Sequence, residues 1–422
     1  MKTIIIFFLF TALVSAQIRF SDYFLNKTLR IDCYHTGTKD TDYYSFDQLK
    51  EEPYWGGSKT NLLDKFNYGE YEVKAFDSLS NKLIFSHTYS TLFHEWQTTQ
   101  EARQTTKTFS ETVTMPFPKN NIYLEFYSRD KKNNLIKKFT LYINSKDYYI
   151  RKDNYYKFPN FKVQYSGDPA NKVDIVIIPD GYTKDQMNKF KDDCQKFAGY
   201  LFATSPYKEN KDKFNIWGIE APSEQSGTDI PRDSIWRNTL LNTNFYTFRE
   251  ERYLMTEDDK KVRDVASNAP YDQIYILVNT DKYGGGAIYN YYSVCTADNK
   301  YSDYVFTHEF GHGFAFLADE YYTSDVTYIN FYPLDVEPLE PNITTLVDFS
   351  SKWKDLVDKD TPIPTPDIPK YKNQVGAFEG GGYEAKGVYR PMEDCSMKSI
   401  SFNNFCPVCK RAIQRMIDFY TE

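Results

Sequence analysis

The stretch THEFGHGFAFLADEYY, residues 307–322, carries two of the five histidines in a chain of 422 residues, and no histidine lies between it and His94. On a helix advancing about 100° per residue, His308 and His312 are about 40° apart, so both imidazoles leave one face. Phe306, Phe310, Gly313, Phe314 and Leu317 fall on the opposite side, forming the apolar stripe that buries such a helix. Ser302 or Asp303 is placed to cap its start. The pattern is HExxH, in which two histidines one turn apart bind zinc and the glutamate between them acts as base. Neutral imidazoles hold the ion without cancelling its charge, so bound water ionises near neutral pH. Glu309 is close enough to take that proton and deliver it to a leaving amine.

A catalytic zinc takes three protein ligands, and the chain offers no further histidine in this region. A carboxylate is the substitute, with Asp319 the first choice and Glu320, Glu337 and Glu340 the others. On an unbroken helix Asp319 would face the right way but sit about 10 Å beyond His312. The reading therefore requires the helix to end or bend soon after Gly313.

Outward from this motif, residues 1–16 (MKTIIIFFLFTALVSA) read as a secretory signal peptide: one lysine, an apolar run and small residues at the cleavage position. The expectation is an exported protein, whether periplasmic, cell-surface or extracellular. No later segment reaches the roughly 18 apolar residues of a membrane span, so no integral membrane segment is expected. A net charge of −7 spread along the chain argues against nucleic acid and anionic membranes as partners.

Residues 17–158 predict an all-β sandwich of about seven strands, from short alternating runs such as YEVKAF (71–76) and NIYLEFYS (121–128). From 159 to 422 the style changes to α/β. VDIVIIP (173–179) is a continuous apolar run suited to a strand buried on both faces. Thr183 and Gln186 form a capping box for a helix through Met187, Phe190, Cys194, Phe197 and Leu201. Further strands are expected at 214–221 and 273–279, and GGGAIY (284–289) reads as a strand edge that a peptide backbone can approach.

Cys395, Cys406 and Cys409 fall within one short stretch, and Cys406-Pro-Val-Cys409 admits a redox pair, a second metal site or disulfide partners. In an exported chain a structural disulfide from Cys395 to one of the pair is the preferred reading. Tyr383, Tyr389 and Arg390 precede this cluster and are candidates for lining the cleft or stabilising an oxyanion, although most of the 37 tyrosines must serve packing.

HEFGHxxxxLADEY resembles a family of secreted bacterial zinc metallopeptidases that includes immunoglobulin A peptidases. Similar segments extend to VDIVIIPDGYT (173–183), RDSIWRNTLLNTNFYTFREERYL (232–254), GGGYEAKGVYRPMEDCSM (380–397) and FCPVCKRAI (405–413). The β-rich N-terminal region is similar to a domain that often precedes such peptidases. The resemblance implies one zinc per chain on His308, His312 and Asp319, with Glu309 as general base. It also implies a metzincin-like fold in which Met397 forms a structural floor beneath the metal. Ala318, Ala315 and Ser399 depart from the pattern, standing where a third histidine, a turn glycine and, in some relatives, a tyrosine occur.

The resulting expectation is a secreted zinc endopeptidase acting on protein or peptide substrates, with glycoproteins and immunoglobulin among them. Two rivals are a non-catalytic glycoprotein- or glycan-binding protein on a peptidase scaffold, and a zinc amidase acting on cell-wall amides.

Overall fold

The run VDIVIIPD is buried along its whole length, and the two-residue period of a strand divides its side chains between two cores. Val173, Ile175 and Ile177 enter one core, while Val176 and Ile178 enter the other. The computed structural model in which this is seen describes residues 18–154, 156–322, 332–401 and 404–422. The signal peptide expected at 1–16 lies outside the described residues. Among them, no helix is long and apolar enough to cross a membrane.

The N-terminal region opens with a short helix, α1 (Phe20–Tyr23), and contains seven strands: β1 (Phe24–Gly37), β2 (Asp42–Glu52), β3 (Tyr71–Asp77), β4 (Leu83–Tyr89), β5 (Lys107–Pro118), β6 (Ile122–Arg129) and β7 (Leu135–Ile143). They form two antiparallel sheets, ordered β2-β1-β5 and β4-β3-β6-β7. Leu29, Ile31, Val113 and Met115 of the first meet Val73, Leu124 and Phe126 of the second in one core.

The second region is built on six strands, β8 (Asn160–Gln164), β9 (Val173–Asp180), β10 (Phe214–Ile219), β11 (Gln273–Val278), β12 (Gly285–Ile288) and β13 (Tyr292–Thr296). Their order is β12-β13-β11-β9-β10-β8, parallel in the middle with an antiparallel strand at each edge. The predicted capping box of Thr183 and Gln186 is formed and leads into a helix at Met187–Ala203. That helix shares one sheet face with Ser302–Ala315 and Pro407–Thr421, through Phe190, Phe197, Phe306, Phe310 and Ile413.

The other face is covered from two directions. The helix Asp259–Ala266 contributes Val262 and Val265, and the N-terminal region sends Leu92, Phe93 and Trp96 from a helix at Leu92–Thr98 into the same core. In chain order these helices are α2 (Leu92–Thr98), α3 (Met187–Ala203), α4 (Asp259–Ala266), α5 (Ser302–Ala315) and α6 (Pro407–Thr421). A hairpin of β14 (Phe378–Gly381) and β15 (Glu384–Arg390) precedes α6.

The two regions are also tied by buried charge. Arg30 of β1 makes a two-pronged bond to Asp32 at 2.7 and 2.9 Å and reaches Asp264 of α4 at 2.7 Å. Lys50 joins Asp264 at 2.5 Å, and Tyr271 donates to Glu52 at 3.1 Å. Removing the central cation strands Asp32 and Glu52 in the interior, where an uncompensated charge costs about 3–5 kcal/mol. Arg30→Met is therefore expected to lower the chemical-denaturation midpoint by that equivalent.

Candidate metal centre and active site

The start of α5 differs from expectation. Tyr301 occupies the N-cap with no side-chain bond. Ser302 instead donates to the Thr296 carbonyl at 2.6 Å, and Asp303 accepts the amide of Tyr304 at 2.8 Å. The other end meets the requirement for a break. The helix stops at Ala315 because Phe316 turns left-handed, with φ 53° and ψ 37°. A non-glycine residue pays about 1–2 kcal/mol for that backbone, offset here by packing of the Phe316 ring on Tyr289 and Tyr68.

Past the break the chain leaves the helix and carries Asp319 back to the histidines. Asp319 Oδ1 lies 3.1 Å from His308 Nε2 and 3.4 Å from His312 Nε2. The two Nε2 atoms are 3.1 Å apart. Each ring's other nitrogen faces a carbonyl: His308 Nδ1 the Ser396 oxygen at 2.9 Å, and His312 Nδ1 the Leu317 oxygen at 2.5 Å. A carbonyl can only accept, so each Nδ1 carries the hydrogen and each Nε2 presents a lone pair. Two lone pairs and a carboxylate oxygen thus converge, and that oxygen is buried without a hydrogen-bond partner. A cation between them would satisfy such a set. Tetrahedral zinc ligands at about 2.0–2.1 Å stand about 3.3–3.4 Å from each other, close to the separations found. The residues present fit the metal.

The electrostatics show the same need. Burial opposes a charge on His312, but Asp319 outweighs it and lifts the pKa to about 9. Asp319 is held well below the usual carboxylate range: burial works against its charge, and His312 and His308 overcome that. Glu309 moves the other way. Burial raises its pKa against the pull of both histidines. Glu309 lines a cleft of about 460 Å³ together with His308, His312 and Asp319.

With this geometry in view, comparison with known sequence families is decisive. The family described as IgA Peptidase M64 matches residues 161–373 and 367–417, more than half of the chain. The chain belongs to this peptidase family. The region described as Peptidase M64 N-terminus matches residues 19–140. No curated protein matches the chain.

In this M64 chain Tyr383 lines the cleft, but its hydroxyl donates to Asp319 Oδ2. It therefore braces the carboxylate. Tyr389 and Arg390 are not among the lining residues. Tyr389 exchanges main-chain bonds with Thr344 at 2.8 and 3.0 Å. The Arg390 guanidinium is buried on the carbonyls of Glu379 and Gly380, and Tyr389 packs against the core beneath the sheet; folding of the hairpin leaves both outside the cleft lining. Met397 is fully buried, its sulfur 3.0 Å from where a Cβ on Gly311 would stand. It thus lies against α5 between the two histidines.

The expected disulfide is absent. All six cysteines are free, and the sulfurs of Cys395 and Cys409 are 3.8 Å apart, well beyond the roughly 2.05 Å of an S–S bond. Glu320 is turned toward these thiols, Glu337 bonds Thr345 and Asp348, and Glu340 accepts from Tyr332.

Several site residues were missed. Tyr304 lies one turn before His308 and shares its face; its hydroxyl donates to the Ser396 carbonyl at 2.9 Å. That i, i+4 spacing was readable. Arg252, Tyr283 and Tyr321 also line the cleft, with Arg252 donating to the Tyr321 hydroxyl at 3.2 Å. Glu70, His94 and Glu95 add a wall from the N-terminal region, which no local motif announced.

Proposed function

We propose that the chain is an exported zinc-dependent endopeptidase with a metzincin-like catalytic domain. The reading rests chiefly on the convergence of His308 Nε2, His312 Nε2 and Asp319 Oδ1 within 3.1–3.4 Å. These three would hold zinc, which when bound supplies Lewis acidity toward a carbonyl oxygen and toward water. Met397 would be the floor under the site.

Glu309 takes a proton from the attacking water as the new C–O bond forms. It returns that proton to the amide nitrogen as the C–N bond breaks, leaving a carboxylic acid and an amine that ionise to carboxylate and ammonium. Burial raises its pKa, the direction that helps it hold that proton between the two steps. Gly285 keeps this carboxylate close to the edge strand: a Cβ there would stand 3.1 Å from Glu309 Oε1.

Substrate main chain pairs with β12, though along a shorter stretch than 284–289. Gly285 is already bonded to the 252–254 segment, through Arg252 O and Leu254 N at 3.2 Å each. An extended peptide would therefore meet the strand at 286–288, following the strand-addition mode of recognition.

Arg252 supplies the cation facing the developing oxyanion. Losing such a group costs about 10²–10³-fold in kcat, so Arg252→Gln should lose about that much with zinc content unchanged, in a steady-state peptide assay. The whole reading is tested by exposing a peptide library to the purified chain. Cleavage that stops on chelation and returns with zinc supports it. Cleavage indifferent to chelation, or none at all by a zinc-loaded protein, would sink it.

A further inference from the structure

Glu320 follows Asp319 in sequence, but the two carboxylates belong to different clusters. Asp319 turns to the histidines, and Glu320, fully buried, turns toward Cys395, Cys406 and Cys409. Its Oε1 lies 3.2 Å from Cys409 Sγ and also accepts from Asn342 Nδ2 at 3.0 Å. Its Oε2 is buried without any hydrogen-bond partner. Three thiols and a carboxylate, one ligand atom from each, lie within 4.8 Å of one another, all four residues buried.

We propose that Cys395, Cys406, Cys409 and Glu320 form a second, structural site for a thiophilic divalent cation such as zinc.

The distances favour a shared ion over a disulfide. Sulfurs bound tetrahedrally to zinc at about 2.3 Å stand about 3.8 Å apart, and Cys395 Sγ and Cys409 Sγ are 3.8 Å apart. The main chain is arranged for thiolates. The Cys406 amide points at Cys395 Sγ at 3.3 Å, and the Cys409 amide points at Cys406 Sγ at 3.4 Å. Cys406 is also the N-cap of α6, where the helix dipole favours negative charge. Three thiolates and one carboxylate match the charge of a four-cysteine zinc site, and four protein ligands close the coordination, as in structural rather than catalytic sites.

Such an ion would position the catalytic centre without touching substrate. Cys395 adjoins Ser396, whose carbonyl orients His308, and Glu320 adjoins Asp319. The Glu320 amide further donates to the Met397 carbonyl at 2.8 Å. One ion would thus clamp together the segment bearing the third ligand, the turn bearing the floor and the start of α6.

The test uses the full chain carrying His308→Ala, purified under reducing conditions without chelator. Metal content by mass spectrometry should remain at one ion per chain, with X-ray absorption showing mainly sulfur neighbours. Cys406→Ser in that background should abolish the remaining ion. Should the His308→Ala chain not fold, cobalt is loaded into the wild-type protein, where a thiolate-to-cobalt charge-transfer band is expected. Any of three results overturns the proposal: no metal in folded His308→Ala protein, a retained ion with only nitrogen and oxygen neighbours, or, after non-reducing purification from its native compartment, a mass lower by two hydrogens that marks a disulfide among these cysteines.

Discussion

Glu309→Gln is expected to leave zinc content unchanged and to lower kcat/KM by about 10³–10⁴-fold, the upper part of the range for losing a general acid–base group. The amide matches the carboxylate in shape, so packing against β12 survives. What is lost is the ability to accept a proton from water and hand it to the departing nitrogen. Because Glu309 is adjacent to His308 in sequence but not among the converging ligand atoms, the substitution separates binding of the metal from use of it. Parallel metal analysis and peptide hydrolysis check the prediction. Retention of more than a tenth of wild-type activity would remove Glu309 from the mechanism.

The second large effect belongs to Asp319→Ala. It removes the one anionic ligand of the set and leaves the two imidazole lone pairs facing each other at 3.1 Å. Loss of an outer partner of a metal ligand typically weakens binding by about 10–100-fold, and loss of the ligand itself should exceed that. The expected result is a chain that comes off a desalting column without its catalytic zinc and without peptidase activity. Tyr383→Phe is the graded counterpart. It deletes only the hydroxyl that braces Asp319 Oδ2 and should weaken zinc about 10–100-fold, measured by competition with a chromogenic chelator. Equal affinities for Tyr383→Phe and wild type would show the brace to be incidental.

Much of this centre was legible because it is local. His308, Glu309 and His312 lie on one turn, and their spacing alone sets their common face. The need for a helix break before Asp319 also followed from axial rise, and the break occurs at Phe316. The buried parallel strand at 173–180 and the seven-strand N-terminal region were readable for the same reason, since a two-residue period is a local signal.

What failed was non-local. Nothing near Tyr389 or Arg390 reveals that the hairpin holds them outside the cleft lining. Nothing near Cys395 reveals that Glu320, next to Asp319, completes its surroundings. The contribution of Glu70, His94 and Glu95 depends on how the N-terminal sheets dock on the second region, through a polar cluster joining Arg30 to Asp264, residues 234 positions apart.

The bond from His308 to the Ser396 carbonyl spans 88 positions. Synthesis proceeds in one direction, so the histidine pair leaves the ribosome well before the residue that aligns it. Until that later stretch arrives, the imidazole lacks the carbonyl that it faces in the finished fold. The histidine pair therefore gains its aligning partner only near the end of this polypeptide's synthesis.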